Sequence, residues 1–183
     1  MTTDVEKSHP GLEEENKATS VVAYTESSLI LGEVITKQTI RVSTWLRTQA
    51  MPQFLLFRNV SLLRLGSGSE RKPMTFGILY LPSSQVLAFH IKPPASDPLD
   101  YDTAEPMRKM EPVSALVGWF RFDGFIRMST HTDLEKYLDV SKDIFTTLYE
   151  VDITQPLGTS SGVLHVPMTL VRTISTAFSP RSV

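Results

Sequence analysis

Apolar and polar residues alternate over short segments of this chain, and glycine or proline separates many of these segments. Alternation with a period of two is typical of β-strands that bury one face. Leu29 to Thr36 alternates in this way around Gly32. The segments that begin at Phe54 and Phe145 are rich in aromatic and β-branched residues, which favour strands. The pattern therefore predicts a mainly β protein.

Helical patterns are rare in comparison. Thr132 to Glu135 has the form of a capping box, and Leu134, Tyr137 and Leu138 fall on one helical face, so a short helix is predicted there. The stretch from Ser43 to Thr48 predicts a single helical turn.

Four blocks of sequence recur in the same order in the two halves of the chain. They are a glycine nine residues before an Arg-x-Ser-Thr turn, a Phe-led strand, a strand from glycine to proline, and a valine four residues later. The first copy has Gly32 with Arg41–Thr44, Phe54–Leu62, Gly77–Pro82 and Val86; the second has Gly118 with Arg127–Thr130, Phe145–Ile153, Gly162–Pro167 and Val171. This agreement predicts an internal duplication. In the second copy, Asp123-Gly124 is predicted to be a hairpin turn.

The duplication divides the chain into four predicted regions. Residues 1–20 are acidic and without periodicity, which predicts a disordered tail. Residues 93–112 contain five prolines and five acidic residues, which predicts a linker. The two modules are then residues 21–92 and residues 113–183. Each is expected to form a small bent sheet or barrel of about five strands with a short helix, and the two are expected to pack as a pseudo-twofold unit.

Composition excludes several classes of protein. The chain has no cysteine, which excludes disulfides, thiolate metal sites and a cysteine nucleophile, and which fits a reducing compartment. No stretch approaches the roughly 20 apolar residues that a membrane helix needs. The N-terminus is acidic where a signal peptide would be basic and then apolar. We therefore expect a cytoplasmic protein without membrane insertion.

Catalytic and metal-binding patterns are missing from the sequence. No two of the four histidines share helical or strand spacing with a carboxylate, so no metal site is expected. No nucleophile elbow is present, and Gly66 to Lys72 lacks the ending of a phosphate-binding P-loop. The chain is therefore expected not to be an enzyme and to need no cofactor.

Arg41 and Arg127 are candidate binding residues because both precede a Ser-Thr pair. One interpretation is that they contact an anion or a carboxylate beside those hydroxyls. The other is that they are structural, and donate to carbonyls of their own loops while Ser43 and Ser129 act as caps. The structural interpretation is favoured, since a duplicated fold repeats what its architecture needs.

Arg58 and Arg64 are further candidates because charge is spread unevenly along the chain. Residues 21–92 carry eight basic and three acidic residues, although the net charge of the whole chain is −2. This basic half suggests an alternative function, RNA binding, with base stacking on Trp45, Phe54 or Phe57. The aromatics occupy apolar strand positions, however, and the acidic segments on either side would repel a polyanion.

Two family resemblances involve these segments. Arg41–Leu46 and Phe54–Leu62 resemble the pattern of a family of small bacterial proteins of unknown function. This resemblance implies a β-barrel architecture and supplies no activity or mechanism. The chain also resembles Sm-like barrels in the layout of Leu31–Val34 and Phe76–Ile91. The Asp and Asn of the first Sm motif and the Arg-Gly turn of the second are missing, so the RNA pocket of that family is not carried over.

Together these observations predict a non-enzymatic protein-binding or assembly module. Small barrels associate through strand edges, so a protein partner or self-association is expected, and nucleic acid is the second choice.

Overall fold

A computed structural model describes residues 15–48, 51–66, 72–155 and 162–182. The prediction of a mainly β fold is confirmed, since the chain forms one antiparallel sheet of ten strands. The glycine- and serine-containing segments 66–72 and 158–161 are expected from the sequence to be loops, and they lie largely outside the described residues.

The first half of the chain forms five strands and one α-helix. The strands are β1 (Asn16–Tyr24), β2 (Ser28–Lys37), β3 (Phe54–Arg64), β4 (Met74–Pro82) and β5 (Ala88–Ile91). Helix α1 (Val42–Arg47) lies between β2 and β3, and a 3₁₀ turn (Ser83–Gln85) lies between β4 and β5.

The second half forms the same elements in the same order. Its strands are β6 (Arg108–Val117), β7 (Phe120–Ser129), β8 (Phe145–Thr154), β9 (Leu164–Arg172) and β10 (Ala177–Pro180). Helix α2 (Leu134–Val140) lies between β7 and β8, and a 3₁₀ turn (Thr173–Ser175) lies between β9 and β10.

Strand pairing is also the same in the two halves. Strands β1 to β4 form a meander and β5 returns to pair with β1, while β6 to β9 form a second meander and β10 returns to pair with β6. The strand order is β10-β6-β7-β8-β9-β5-β1-β2-β3-β4. Because one sheet runs through both halves, the division into two separate modules stays a prediction.

A bulge at the same place in each half supports this correspondence. The β2–β3 register shifts between Leu31 and Glu33, beside Gly32, and the β7–β8 register shifts between Asp123 and Phe125, beside Gly124. A Cβ at Gly124 would lie 2.9 Å from the Tyr149 carbonyl oxygen, so the backbones approach too closely there for a side chain. Gly124 is therefore the counterpart of Gly32.

Several local predictions change accordingly. Asp123-Gly124 lies inside β7, and the hairpin turn is at Gly118-Trp119, where Gly118 has a φ of +55°. The predicted equivalence of Gly118 with Gly32 is therefore wrong. Pro167 does not end a strand but lies within β9, outside the short stretch of β9 that pairs with β5.

The boundaries of the predicted tail and linker also change. Strand β1 begins at Asn16, inside the segment predicted to be a tail, and β6 begins at Arg108, inside the predicted linker. Residues 1–14 lie outside the described residues. The predicted helix is confirmed as α2, with Asp133 as its N-cap; the Asp133 carboxylate accepts a hydrogen bond of 2.8 Å from the Lys136 N–H.

Two hydrophobic clusters form the interior. The first core is built mainly from the first half and includes Ile30, Val34, Leu46, Leu55, Phe57 and Phe89. The second core is built mainly from the second half and includes Val113, Phe122, Ile126, Leu148 and Val151. Strand β1 separates them, since Val21 and Ala23 enter the first core while Val22 and Tyr24 enter the second.

The halves are joined through β5 and β9. Ala88 pairs with Val171 and Phe89 pairs with Leu170 in an antiparallel ladder. Strand β5 is the last strand of its half, whereas β9 is the fourth of its half. A twofold axis would pair a strand with its own counterpart. The halves are therefore arranged head to tail, and the predicted pseudo-twofold unit is wrong.

Candidate functional site: the two open edges of the sheet

The sequence predicts that the candidate binding residues Arg41 and Arg127 hold equivalent positions in the two copies. In the structure they lie in different elements. Arg41 precedes α1, whereas Arg127 lies within β7. The Arg41 guanidinium donates to the Leu99 carbonyl at 3.4 Å. The Arg127 guanidinium donates to the Asp102 carbonyl at 3.0 Å and forms an ion pair of 2.7 Å with Glu105. Both arginines therefore contact the connection between the halves, residues 92–107.

Other side chains also attach this connection to the sheet. The Asp100 carboxylate accepts from Arg47 at 2.6 Å and from the Tyr149 hydroxyl at 2.7 Å, and its side chain is 8% exposed. Burial, together with the hydrogen bond to Asp100, raises the pKa of Tyr149. The segment predicted to be a linker is thus bound to both halves through its acidic side chains, which were part of the reason for predicting a linker.

The candidate nucleic-acid residues Arg58 and Arg64 both lie on β3. Arg64 ends the strand opposite Ser28, and Arg58 lies in its middle, between Glu33 and Ile78 on the neighbouring strands. Neither forms an ion pair with a described residue.

The aromatics proposed for base stacking differ in exposure. Phe57 is fully buried and Trp45 packs against the first core, while Phe54 is 54% exposed. Only Phe54 therefore remains accessible to a base.

A narrow pocket beside the β5–β9 junction contains a serine, a histidine and an aspartate. Its lining includes Ser43, His90 and Asp97. The Ser43 hydroxyl donates directly to the Asp97 carboxylate at 2.8 Å. Both nitrogens of His90 are occupied, one by the Tyr24 hydroxyl at 3.1 Å and the other by the Ile91 carbonyl at 2.8 Å. The histidine therefore does not activate the serine in this arrangement.

Burial lowers the pKa of His90 and so favours its neutral form, and the hydrogen bonds then define the tautomer of that form. A carbonyl only accepts, so Nδ1 donates to Ile91 and Nε2 accepts from the Tyr24 hydroxyl. Across residues 15–48, 51–66, 72–155 and 162–182, no group of three or more His, Asp or Glu side chains is arranged to hold a metal ion.

One edge of the sheet is β4, which pairs with β3 and with no other described strand. Four large apolar side chains occupy alternate positions along it and are 40–65% exposed: Met74, Phe76, Ile78 and Tyr80. The strand has no charged residue. Native proteins usually protect an edge with charge, proline or a covering element, because its unpaired N–H and C=O groups accept another strand. We call this surface the β4 edge.

The opposite edge is β10, which pairs with β6 alone among the described strands. Ile174, in the preceding 3₁₀ turn, is 90% exposed. A groove lies beside this strand and is lined by apolar side chains that include Leu138, Ile144 and Phe178. We call this surface the β10 edge.

Sequence reasoning did not identify these two edges as the accessible surfaces. It recognised the strand Gly77–Pro82 but not the alternation of Met74, Phe76, Ile78 and Tyr80 as an exposed stripe. Such alternation equally describes a strand that faces a core. Which strand ends the sheet depends on pairing between distant segments, which the sequence does not display.

In the described part of the chain, no helix combines the length and apolar character needed to cross a membrane. Comparison with protein-family models, with curated proteins and with solved structures found no match to this chain.

Proposed function

We propose that this chain is a non-enzymatic protein-binding or assembly module that acts in the cytoplasm by adding a strand to an open edge of its sheet. The observation that carries the proposal is the β4 edge, with its uncharged and exposed apolar stripe. Strand addition uses the main-chain groups of an edge for affinity and alternate side chains for specificity. The absence of cysteine in the sequence supports a reducing compartment.

The non-enzymatic part rests on the pocket beside β5. There the Ser43 hydroxyl is bonded to a carboxylate and not to a base, and His90 has both nitrogens occupied by structural partners. A nucleophile needs an adjacent base within hydrogen-bond reach, and the base must be free to take its proton. These contacts favour a structural role for all three polar side chains.

A charge placed on the β4 edge tests this function. The tagged full-length protein is used to capture partners, and the wild type is compared with Ile78→Lys and with Val140→Lys. Ile78 lies on β4 and is 54% exposed, while Val140 ends α2 and is 71% exposed, so we expect the folded chain to tolerate both lysines.

We expect a partner, of whatever identity, to bind the wild type and Val140→Lys but not Ile78→Lys. Binding by the purified partner should also slow hydrogen exchange of the β4 amides. If the three proteins bind the same partners equally, or if none binds any, the proposed function is wrong.

RNA binding through the first half is the second candidate. It is favoured by Arg58 and Arg64, which form no ion pair with described residues, and by the exposure of Phe54. Arg47, which is paired with Asp100, would not contribute. Fluorescence anisotropy with single-stranded RNA at low salt should detect binding that Arg58→Gln with Arg64→Gln abolishes. Absence of binding at low salt would eliminate this candidate.

A further inference from the structure

The junction between the halves shows what an occupied edge of this fold looks like. Strand β9, the fourth strand of the second half, pairs there with β5, the fifth strand of the first half. Among the described strands, the fourth strand of the first half (β4) and the fifth strand of the second half (β10) are the two edges that remain open. The internal junction thus pairs a fourth strand with a fifth strand. Each chain also exposes one further fourth strand, β4, and one further fifth strand, β10.

Equivalent positions in the two halves follow from the strand registers. Phe54 and Phe145 begin β3 and β8. Tyr80 lies opposite the third residue of β3, and Leu170 lies opposite the third residue of β8. Phe54 thus corresponds to Phe145, and Tyr80 corresponds to Leu170. The predicted equivalence of Gly77–Pro82 with Gly162–Pro167, which would align Tyr80 with His165, is therefore wrong.

Burial at these positions depends on whether a neighbouring half is present. Phe145 and Leu170 are each 1% exposed, because they enter the first core across the junction. Phe54 and Tyr80 lie at the end of the sheet where no further described strand follows β4, and they are 54% and 65% exposed. The same two positions are apolar in both halves, although only one half buries them.

The receiving side of the junction is repeated in the same way. Strand β5 begins with Ala88-Phe89, and β10 begins with Ala177-Phe178. Ala88 and Phe89 are buried by β9, whereas Ala177 is exposed and Phe178 is half-buried. In the first core, Phe145 and Leu170 pack beside Phe89. The groove beside Phe178 lies at the equivalent place in the second half.

We propose that copies of this chain assemble head to tail, with β10 of one copy adding antiparallel to β4 of the next. Transferring the register of the junction pairs Ala177 with Leu81 and Phe178 with Tyr80 of the neighbouring copy. The contact is heterologous, so it produces a closed ring if the rotation closes and a filament if it does not. The proposal rests on the proposed function, and names a second copy of the chain as the partner.

Cross-linking of two different single-cysteine variants tests the register and the direction of the contact. The natural chain has no cysteine, so Tyr80→Cys and Phe178→Cys each introduce the only thiol. Directly opposite residues in an antiparallel pair have Cβ atoms about 5 Å apart, within reach of a short bifunctional maleimide. A mixture of the two variants should yield a product of twice the 20.5 kDa chain mass.

Neither variant alone should yield that product, because a heterologous contact never places a residue against its own copy. Val140→Cys replaces Phe178→Cys in the matched control and should give no product with Tyr80→Cys. No product from the mixture, or equal products from each variant alone, would overturn the head-to-tail contact.

Sedimentation of the purified full-length chain separates this proposal from the proposed function. The wild type should form species larger than one chain, and Tyr80→Lys should weaken assembly by at least about tenfold, because a lysine would be buried without a partner. Val140→Lys should assemble as the wild type does. A strictly monomeric wild type would overturn self-assembly, while a different partner bound through the β4 edge would still support the proposed function.

Discussion

Leu170 in β9 lies opposite Phe89 in β5, and each side chain is 1% exposed. This pair brings residues from the two halves into one core, which also contains Phe145 from the second half. The position equivalent to Leu170 in the first half is Tyr80, which is 65% exposed. Substitution of Leu170 and of Tyr80 therefore compares the stability contributed by the junction with that contributed by an equivalent but exposed position.

Leu170→Ala should lower the free energy of unfolding by about 2–5 kcal/mol, because it leaves a cavity between the halves. Tyr80→Ala in dilute solution should change it by about 0.5 kcal/mol or less, as expected for a surface position. Urea denaturation followed by circular dichroism measures both. Equal effects of the two substitutions would show that the junction contributes no more than an exposed strand does.

The attachment of the connection 92–107 can be tested at Asp100. Asp100→Asn removes the charge that pairs with Arg47 at 2.6 Å, and should lower the free energy of unfolding by about 1–3 kcal/mol. Protease cleavage within the connection should become faster. Asp139→Asn, at an exposed position on α2, is the control and should leave both measurements unchanged. A connection that stays resistant to protease in Asp100→Asn would contradict this role.

His90 should make stability depend on pH. Burial lowers its pKa below the ordinary value of about 6.5 that it regains on unfolding. Below pH 6.5 the unfolded state therefore binds more protons than the native state. The free energy of unfolding should be fully present above pH 6.5 and should fall, by up to about 1.4 kcal/mol per pH unit, as the pH decreases toward the native pKa.

In urea denaturation, the free energy of unfolding should fall more steeply between pH 7.5 and pH 5 for the wild type than for His90→Gln. His165 provides the control with the opposite sign. A hydrogen bond to Asp152, helped by Glu150, raises its pKa, so its contribution is present below pH 6.5 and is lost as the pH rises. His165→Gln should keep the acid-dependent loss, and a profile for His90→Gln that matches the wild type would contradict the role of His90.

Gly124 should not tolerate a side chain. A Cβ there would lie 2.9 Å from both the Tyr149 carbonyl oxygen and a methyl group of Val151. Gly124→Ala should therefore destabilise the fold by about 1–3 kcal/mol. Gly77→Ala is the control, since no described atom beyond Gly77 and its two chain neighbours lies within 4 Å of its Cβ position. Thermal denaturation compares the two, and a melting temperature as high for Gly124→Ala as for Gly77→Ala would contradict the close approach.

The features that the sequence predicted well are local. The capping residues around Asp133 led to α2, and the composition of the segments at Phe54 and Phe145 led to β3 and β8. Cap chemistry and strand propensity act over a few residues, so they are visible without knowledge of the partner strand.

The Asp123-Gly124 turn was predicted wrongly for an instructive reason. The dipeptide is typical of hairpin turns, but Gly124 is needed where a bulge brings β7 against the backbone of β8. A glycine required by a close approach and a glycine required by a turn have the same appearance in a sequence. The mistaken equivalence of Arg41 with Arg127 arose in the same way, since the counting started from Gly118.

The sequence by itself determined the mainly β class and the position of the second helix. Each of these depends on hydrophobic period and local propensity. Only the tertiary structure decided that the halves join through non-equivalent strands and that β4 and β10 have no second partner among the described strands. Edge strands and junction strands have the same apolar alternation. They differ in whether a distant segment pairs with them. Packing of the whole sheet decides which segments pair.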